Sequence, residues 1–145
     1  MNPYIEIIRP GNVIMAMIAI ILVAIVAHSI SVPIILAMLA VFFEISAGNV
    51  INDYFDYKID LINKPERPIP SGRMGLKTAR NYAYILFLCG TICGFLISYL
   101  TNNWIPFIIV LVADILLYLY AYKLKSNAIA VLPTPGSPIR QGLFF

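Results

Sequence analysis

Three aspartates and two asparagines fall within residues 49–60, which read N-V-I-N-D-Y-F-D-Y-K-I-D. If one helix runs through the stretch, Asn52, Asp56 and Asp60 recur every four residues and share a face. Asp53 lies one position off that stripe, with Asn49 four residues before it. Ionised carboxylates this close repel one another, and the cost grows beside a bilayer unless a cation neutralises them. A divalent metal is the economical partner. Donors that are all oxygen suit Mg²⁺, which commonly completes its shell with water and phosphate, so the stretch points to a phosphorylated substrate.

The elements that must hold these residues are set by composition. The chain has 145 residues, 61% of them hydrophobic and only 12% charged, with mean hydropathy +0.87. That mix excludes an ordinary soluble domain and predicts an all-α, polytopic helical bundle embedded in a membrane. A helical span needs about 20 mostly apolar residues, so the length accommodates four spans and no large soluble domain. The expected spans are about 13–30, 33–53, 82–100 and 104–122, within a membrane unit covering 1–125. Residues 1–12 read as a short amphipathic entry without a cleavable leader, so the first apolar run is expected to remain as a span.

Between spans two and three the chain turns polar and basic over 57–80, a cap loop whose I-N-K-P-E-R-P-I-P-S-G-R run at 62–73 excludes a regular helix. Of the ten Lys and Arg residues, Arg9 precedes span one, and Lys58, Lys64, Arg67, Arg73, Lys77 and Arg80 lie between spans two and three. Lys123, Lys125 and Arg140 follow span four, and the two opposite turns carry none. The positive-inside rule then places the N-terminus, the acidic motif and the loop on the cytoplasmic side of the cell membrane.

Taken together, N-D-Y-F-D-Y-K-I-D at 52–60 and N-K-P-E-R-P-I-P-S-G-R at 63–73 resemble the first aspartate-rich motif and cap loop of the UbiA superfamily of intramembrane prenyltransferases. Within it the wording is most similar to the archaeal digeranylgeranylglyceryl phosphate synthases. The resemblance implies the N-terminal half of that fold, with Mg²⁺ as cofactor and an isoprenyl diphosphate and a lipid acceptor as partners. It assigns Asn52, Asp56 and Asp60, supported by Asp53, to Mg²⁺ and through it to the diphosphate, and Lys64 and Arg67 to catalytic contacts with phosphate oxygens. Arg9, Asn49 and Arg73 are substrate-binding candidates, as are Tyr120, Tyr122, Lys123 and Lys125 from Y-A-Y-K-L-K.

The implied reaction ionises geranylgeranyl diphosphate and passes its chain to geranylgeranylglyceryl phosphate in ether-lipid synthesis. Fixed cations would stabilise the leaving diphosphate, while apolar walls keep water from the carbocation. An aromatic acceptor, as in quinone synthesis, is the alternative within the class. A noncatalytic membrane subunit or cation-transport component is the alternative outside it, although transport predicts acids near mid-span, and Asp53, Asp56 and Asp60 sit at one end beside a basic loop. No nucleic-acid partner is expected, and homo-oligomerisation stays open.

Other features have simpler readings. Glu44 and Asp114 fall inside spans, where pairing or pocket lining competes with a substrate role. Cys89 and Cys93 read as reduced packing residues, and Gly90 with Gly94 as a small-residue packing face. The resemblance also implies a second aspartate motif, which the sequence does not contain. Residues 126–145, with prolines at 133, 135 and 138, are atypical of the family. The expectation is therefore a truncated, inactive form.

Overall fold

A computed structural model describes residues 1–28 and 30–131, with side chains described to residue 123. Every regular element among the described residues is a helix: α1 (Pro3–Ile7), α2 (Pro10–Val26), α3 (Val32–Asn63), α4 (Leu76–Thr101) and α5 (Ile105–Val131). Among the described residues three segments are long and apolar enough to cross a membrane, namely Val32–Asn63, Leu76–Thr101 and Ile105–Lys123. Helix α2 is apolar but has only 17 residues. At about 1.5 Å per residue it reaches roughly 25 Å, near the lower limit for a span.

Local chemistry explains the helix ends. Asn2 caps α1 by accepting a 2.9 Å hydrogen bond from the Tyr4 amide, and Pro3 and Pro10 open α1 and α2 where no intrahelical N–H is needed. Pro33 serves α3 in the same way. Helix α4 stops at Asn102, whose left-handed backbone (φ 49°) turns the following Asn103 amide back to the Ser98 carbonyl at 3.2 Å. Asn103 then accepts from the Ile105 amide at 3.0 Å as α5 begins.

Helix α3 is the hub and packs against each of the other four helices, most extensively α4. Small residues make the close approach feasible: Ala47 on α3, Ala79 and Ala83 on α4 and Ala121 on α5 are fully buried around Val50 and Ile51. Gly90 and Gly94, expected to form a single packing face, serve two different neighbours. A Cβ at Gly90 would stand 2.0 Å from Glu44 Oε1 of α3, and one at Gly94 would stand 2.9 Å from Val110 Cγ2 of α5.

The helix of α3 continues unbroken through the acidic motif to Asn63, and α4 begins at Leu76, so the irregular connection is 64–75. Helix occupies both flanks of the longer 57–80 stretch because the prolines and the left-handed Gly72 (φ 75°) are confined to its middle. The loop folds over the bundle end. Pro68, Ile69 and Met74 are buried, and the Met74 amide donates to the Pro68 carbonyl at 2.9 Å. Of the atypical segment 126–145, residues 126–131 continue α5 and the remainder lies outside the described residues.

Candidate functional site

The motif end of α3 carries a compact ionic cluster under the loop. Asp53 and Asp60, seven residues apart on one helix face, have side chains only 5% and 7% exposed. Arg67 comes down from the loop and donates from Nη1 to Asp60 Oδ2 at 2.7 Å and to Asp53 Oδ1 at 3.1 Å. Arg9 donates from Nη2 to the same Asp53 Oδ1. These acids occupy the C-terminal half of a long helix, where the macrodipole disfavours negative charge, so the two guanidinium groups supply compensation that the helix cannot.

Arg9 is held from two directions. It adopts a left-handed backbone (φ 55°) immediately before Pro10, a conformation that costs a non-glycine residue of order 1–3 kcal/mol unless its surroundings enforce it. Asn49 Nδ2 donates to the neighbouring Ile8 carbonyl at 2.8 Å, and Asp53, one helical turn further along α3, holds the guanidinium. Ile7 beside this joint is 1% exposed, which anchors α1 to the hub.

The other predicted residues are distributed around this cluster. Asn52 and Asp56 are half-buried on the same helix end, with Asn52 Oδ1 buried and lacking a hydrogen-bond partner. Lys64 is exposed at the start of the loop. Arg73 is turned away from the carboxylates of α3: it donates to Glu6 Oε2 at 2.7 Å and Oε1 at 2.9 Å, and to the Glu66 carbonyl at 2.6 Å. Its guanidinium holds the Glu6 carboxyl below the usual range. Tyr120 and Tyr122 are exposed on α5, and Tyr122 meets Phe55 edge-on at 5.7 Å, next to Asp56 in sequence. Lys123 is exposed, and the side chain of Lys125 lies outside the described residues.

Asn52 Oδ1 and the Asp carboxylates form a donor set of oxygen alone, which fits Mg²⁺. Among the described residues no three His, Cys, Asp or Glu side chains converge as a ready-made metal cage.

A second polar group lies deeper between the helices. Both Glu44 carboxylate oxygens are buried without a hydrogen-bond partner, and Asp114 Oδ2 accepts from Thr91 Oγ1 at 2.7 Å. Asp114 also lines an apolar cleft of about 300 Å³ with Phe87, Ile115, Tyr118 and Leu119. Thr91 and Glu6 are participants that sequence reasoning missed. Only the lone acid of the entry segment opposite a basic loop hinted at Glu6.

Apolar helices of spanning length, one of them ending in an acidic stretch paired with arginines, define a multi-pass membrane protein. Residues 12–134 match the UbiA prenyltransferase family, and the chain belongs to that family. It is 74% identical over 127 residues to a digeranylgeranylglyceryl phosphate synthase of Methanobrevibacter smithii, covering 88% of this chain and 45% of the relative. A protein of the same name from Methanosphaera stadtmanae is 54% identical with the same coverage. A solved structure described as digeranylgeranylglyceryl phosphate synthase in membranes superposes with a TM-score of 0.75 at 39% identity, over 85% of this chain and 43% of that one. The chain thus spans a little under half the length of these relatives.

Proposed function

We propose that this chain carries the diphosphate-binding helix end of a metal-dependent prenyltransferase that transfers geranylgeranyl from geranylgeranyl diphosphate to geranylgeranylglyceryl phosphate. The observation that carries the proposal is the convergence of Arg9 and Arg67 on Asp53 and Asp60 at the end of α3. It is supported by 74% identity to a relative bearing that synthase's name. Four membrane helices with the N-terminus and the loop on the cytoplasmic side belong to the same reading, motivated by turns that lack Lys and Arg.

Asn52, Asp56 and Asp60, with Asp53 nearby, would hold Mg²⁺, which when bound neutralises diphosphate charge as the leaving group departs. Arg67 and Arg9 would exchange carboxylate oxygens for phosphate oxygens, giving charge-assisted and bidentate contacts to the developing anion. Lys64, exposed at the rim, would add a point charge during entry. The phenyl and phenol rings of Phe55, Tyr118 and Tyr122, packed edge-on beside the acidic stripe, would face the allylic carbons and exclude water. The acceptor hydroxyl then attacks the allylic cation and its proton passes to the released diphosphate, so the chain needs no nucleophile of its own.

The test is transfer from radiolabelled geranylgeranyl diphosphate to geranylgeranylglyceryl phosphate with Mg²⁺, using this chain and the M. smithii relative. Alanine at the positions of Asp56 and Asp60 in the relative is expected to cost on the order of a hundredfold or more. Near-normal turnover of either variant would refute the assignment, and product from an aromatic acceptor instead would redirect it to quinone synthesis.

A further inference from the structure

We infer that Asn49 and Asp53 form an arginine-positioning pair that sets Arg9 and Arg67 for an incoming diphosphate, and that Asp53 is a counter-ion rather than a metal ligand. This rests on the proposed diphosphate site but assigns different work to two residues within it. Two stripes run down the motif end of α3. Asn52, Asp56 and Asp60 follow one another at four-residue spacing, and Asn49 and Asp53 form a parallel pair at the same spacing.

The contacts of the second stripe are all directed at the arginines or their backbone. Asn49 spends its amide on the Ile8 carbonyl, one residue before the left-handed Arg9. Asp53 receives both guanidinium groups on the single atom Oδ1, and it is buried more deeply than either Arg. A carboxylate that already shares one oxygen between two cations is poorly placed to bind a third, because like charges would crowd around it. On the first stripe, by contrast, Asp60 Oδ2 faces one guanidinium, that of Arg67 at 2.7 Å, and Asn52 has a buried oxygen with no partner.

The arrangement has a functional consequence. Long Arg side chains lose considerable rotamer freedom when they bind a phosphate, and holding them against Asp53 beforehand means that this ordering is complete before the ligand arrives. It also keeps the arginines from closing on an anion that arrives without its metal. Asp53 competes for them, and only a ligand that also brings its metal to the first stripe displaces it.

The experiment uses the 145-residue chain in lipid nanodiscs, with two readouts. The first is the rate at which phenylglyoxal modifies each arginine, followed by peptide mass spectrometry without any ligand. Asp53→Asn is expected to speed modification of Arg9 by about tenfold, the change matching loss of one hydrogen bond between charged groups, to speed Arg67 less because Asp60 still holds it, and to leave Arg73 unchanged. Glu6→Gln is expected to do the reverse, exposing Arg73 alone. Asn49→Ala is expected to speed Arg9 and not Arg67, and it decides the matter if Asp53→Asn does not fold.

The second readout is calorimetric binding of inorganic pyrophosphate with and without Mg²⁺. Asp53→Asn should raise metal-free affinity, because removing the competing negative charge outweighs the lost ordering of the arginines, and keep the gain produced by Mg²⁺, whereas Asp56→Asn should lose that gain. Unchanged arginine reactivity in Asp53→Asn and Asn49→Ala would overturn the positioning role. Loss of the Mg²⁺ gain in Asp53→Asn would overturn the counter-ion assignment and make Asp53 a ligand. If the unaltered chain shows no Mg²⁺-dependent pyrophosphate binding, the diphosphate site itself is wrong, and the reactivity data still decide whether Asp53 holds the arginines.

Discussion

Arg73 clasps Glu6 across 67 residues of sequence, with its two terminal nitrogens 2.7 and 2.9 Å from the two carboxylate oxygens. The pair ties the entry helix α1 to the loop, and both lie outside the segments of spanning length. Each is open to solvent, so its stabilisation is small and screened by salt.

Its pH dependence has a defined sign. Arg73 lowers the Glu6 pKa from the ordinary value of 4.5, so the folded chain binds fewer protons there than the unfolded chain. The contribution is complete above pH 4.5 and is lost as the pH falls through the depressed folded value. Thermal midpoints of the unaltered chain and Glu6→Gln, measured against pH, should differ by a constant amount near neutrality and converge in acid. Raising the salt concentration should narrow the difference.

Breaking the buried cluster should cost more. Arg67→Ala removes the partner of Asp60 and one of the two partners of Asp53, leaving nearly buried carboxylates under-compensated. The expected loss is on the order of 3 kcal/mol in unfolding free energy. Adding Asp60→Asn to Arg67→Ala should recover part of it, because the second substitution removes the stranded charge. A double-mutant cycle from denaturation curves reads the coupling directly, and strict additivity would show that the Arg67 and Asp60 contact contributes nothing.

Much of this site can be read in the sequence, and the unread part has a physical cause. Prolines confined to the loop and carboxylates at the end of a long apolar run marked where the ionic cluster lies. Which acid turns inward was not legible: Asn52, Asp56 and Asp60 make the regular stripe, yet Asp53 and Asp60 are the buried pair. Helices that are apolar almost all round show no polar face from which an inward direction could be read, so tertiary contacts decide it. The Arg73 to Glu6 and Asn49 to Ile8 contacts join segments 67 and 41 residues apart, beyond the reach of any local pattern.

The proposed topology rests on the distribution of basic residues and is open to chemical labelling. With Cys89 and Cys93 replaced by alanine, single cysteines at Ser31 and Asn102 are expected to react with an impermeant maleimide added from outside intact cells. A cysteine at Ser71, in the basic loop, should react only after the membrane is opened. External labelling of Ser71 would reverse the orientation and remove the cytoplasmic diphosphate supply from the proposed function.

The packing of α4 on α5 should depend on a single missing methyl group. A Cβ at Gly94 would stand 2.9 Å from Val110 Cγ2 and 3.1 Å from its Cβ, inside normal contact distance. Val110 is branched at Cβ and has little rotamer freedom within a helix, so relief requires the helices to separate. Between membrane helices the attraction comes largely from close van der Waals contact, and a small separation forfeits much of it. Gly94→Ala is therefore expected to destabilise the chain by about 1–3 kcal/mol despite its better helix propensity. Gly11→Ala supplies the control, since nothing lies within 4 Å of its added Cβ and its helix should gain up to about 1 kcal/mol. Thermal midpoints in one detergent should thus fall for Gly94→Ala and hold or rise for Gly11→Ala. Pairing Gly94→Ala with Val110→Ala should restore most of the loss, because the second substitution removes both Cγ atoms that the new methyl meets. If the double variant is no more stable than Gly94→Ala alone, the contact with Val110 is not what fixes the spacing of α4 and α5.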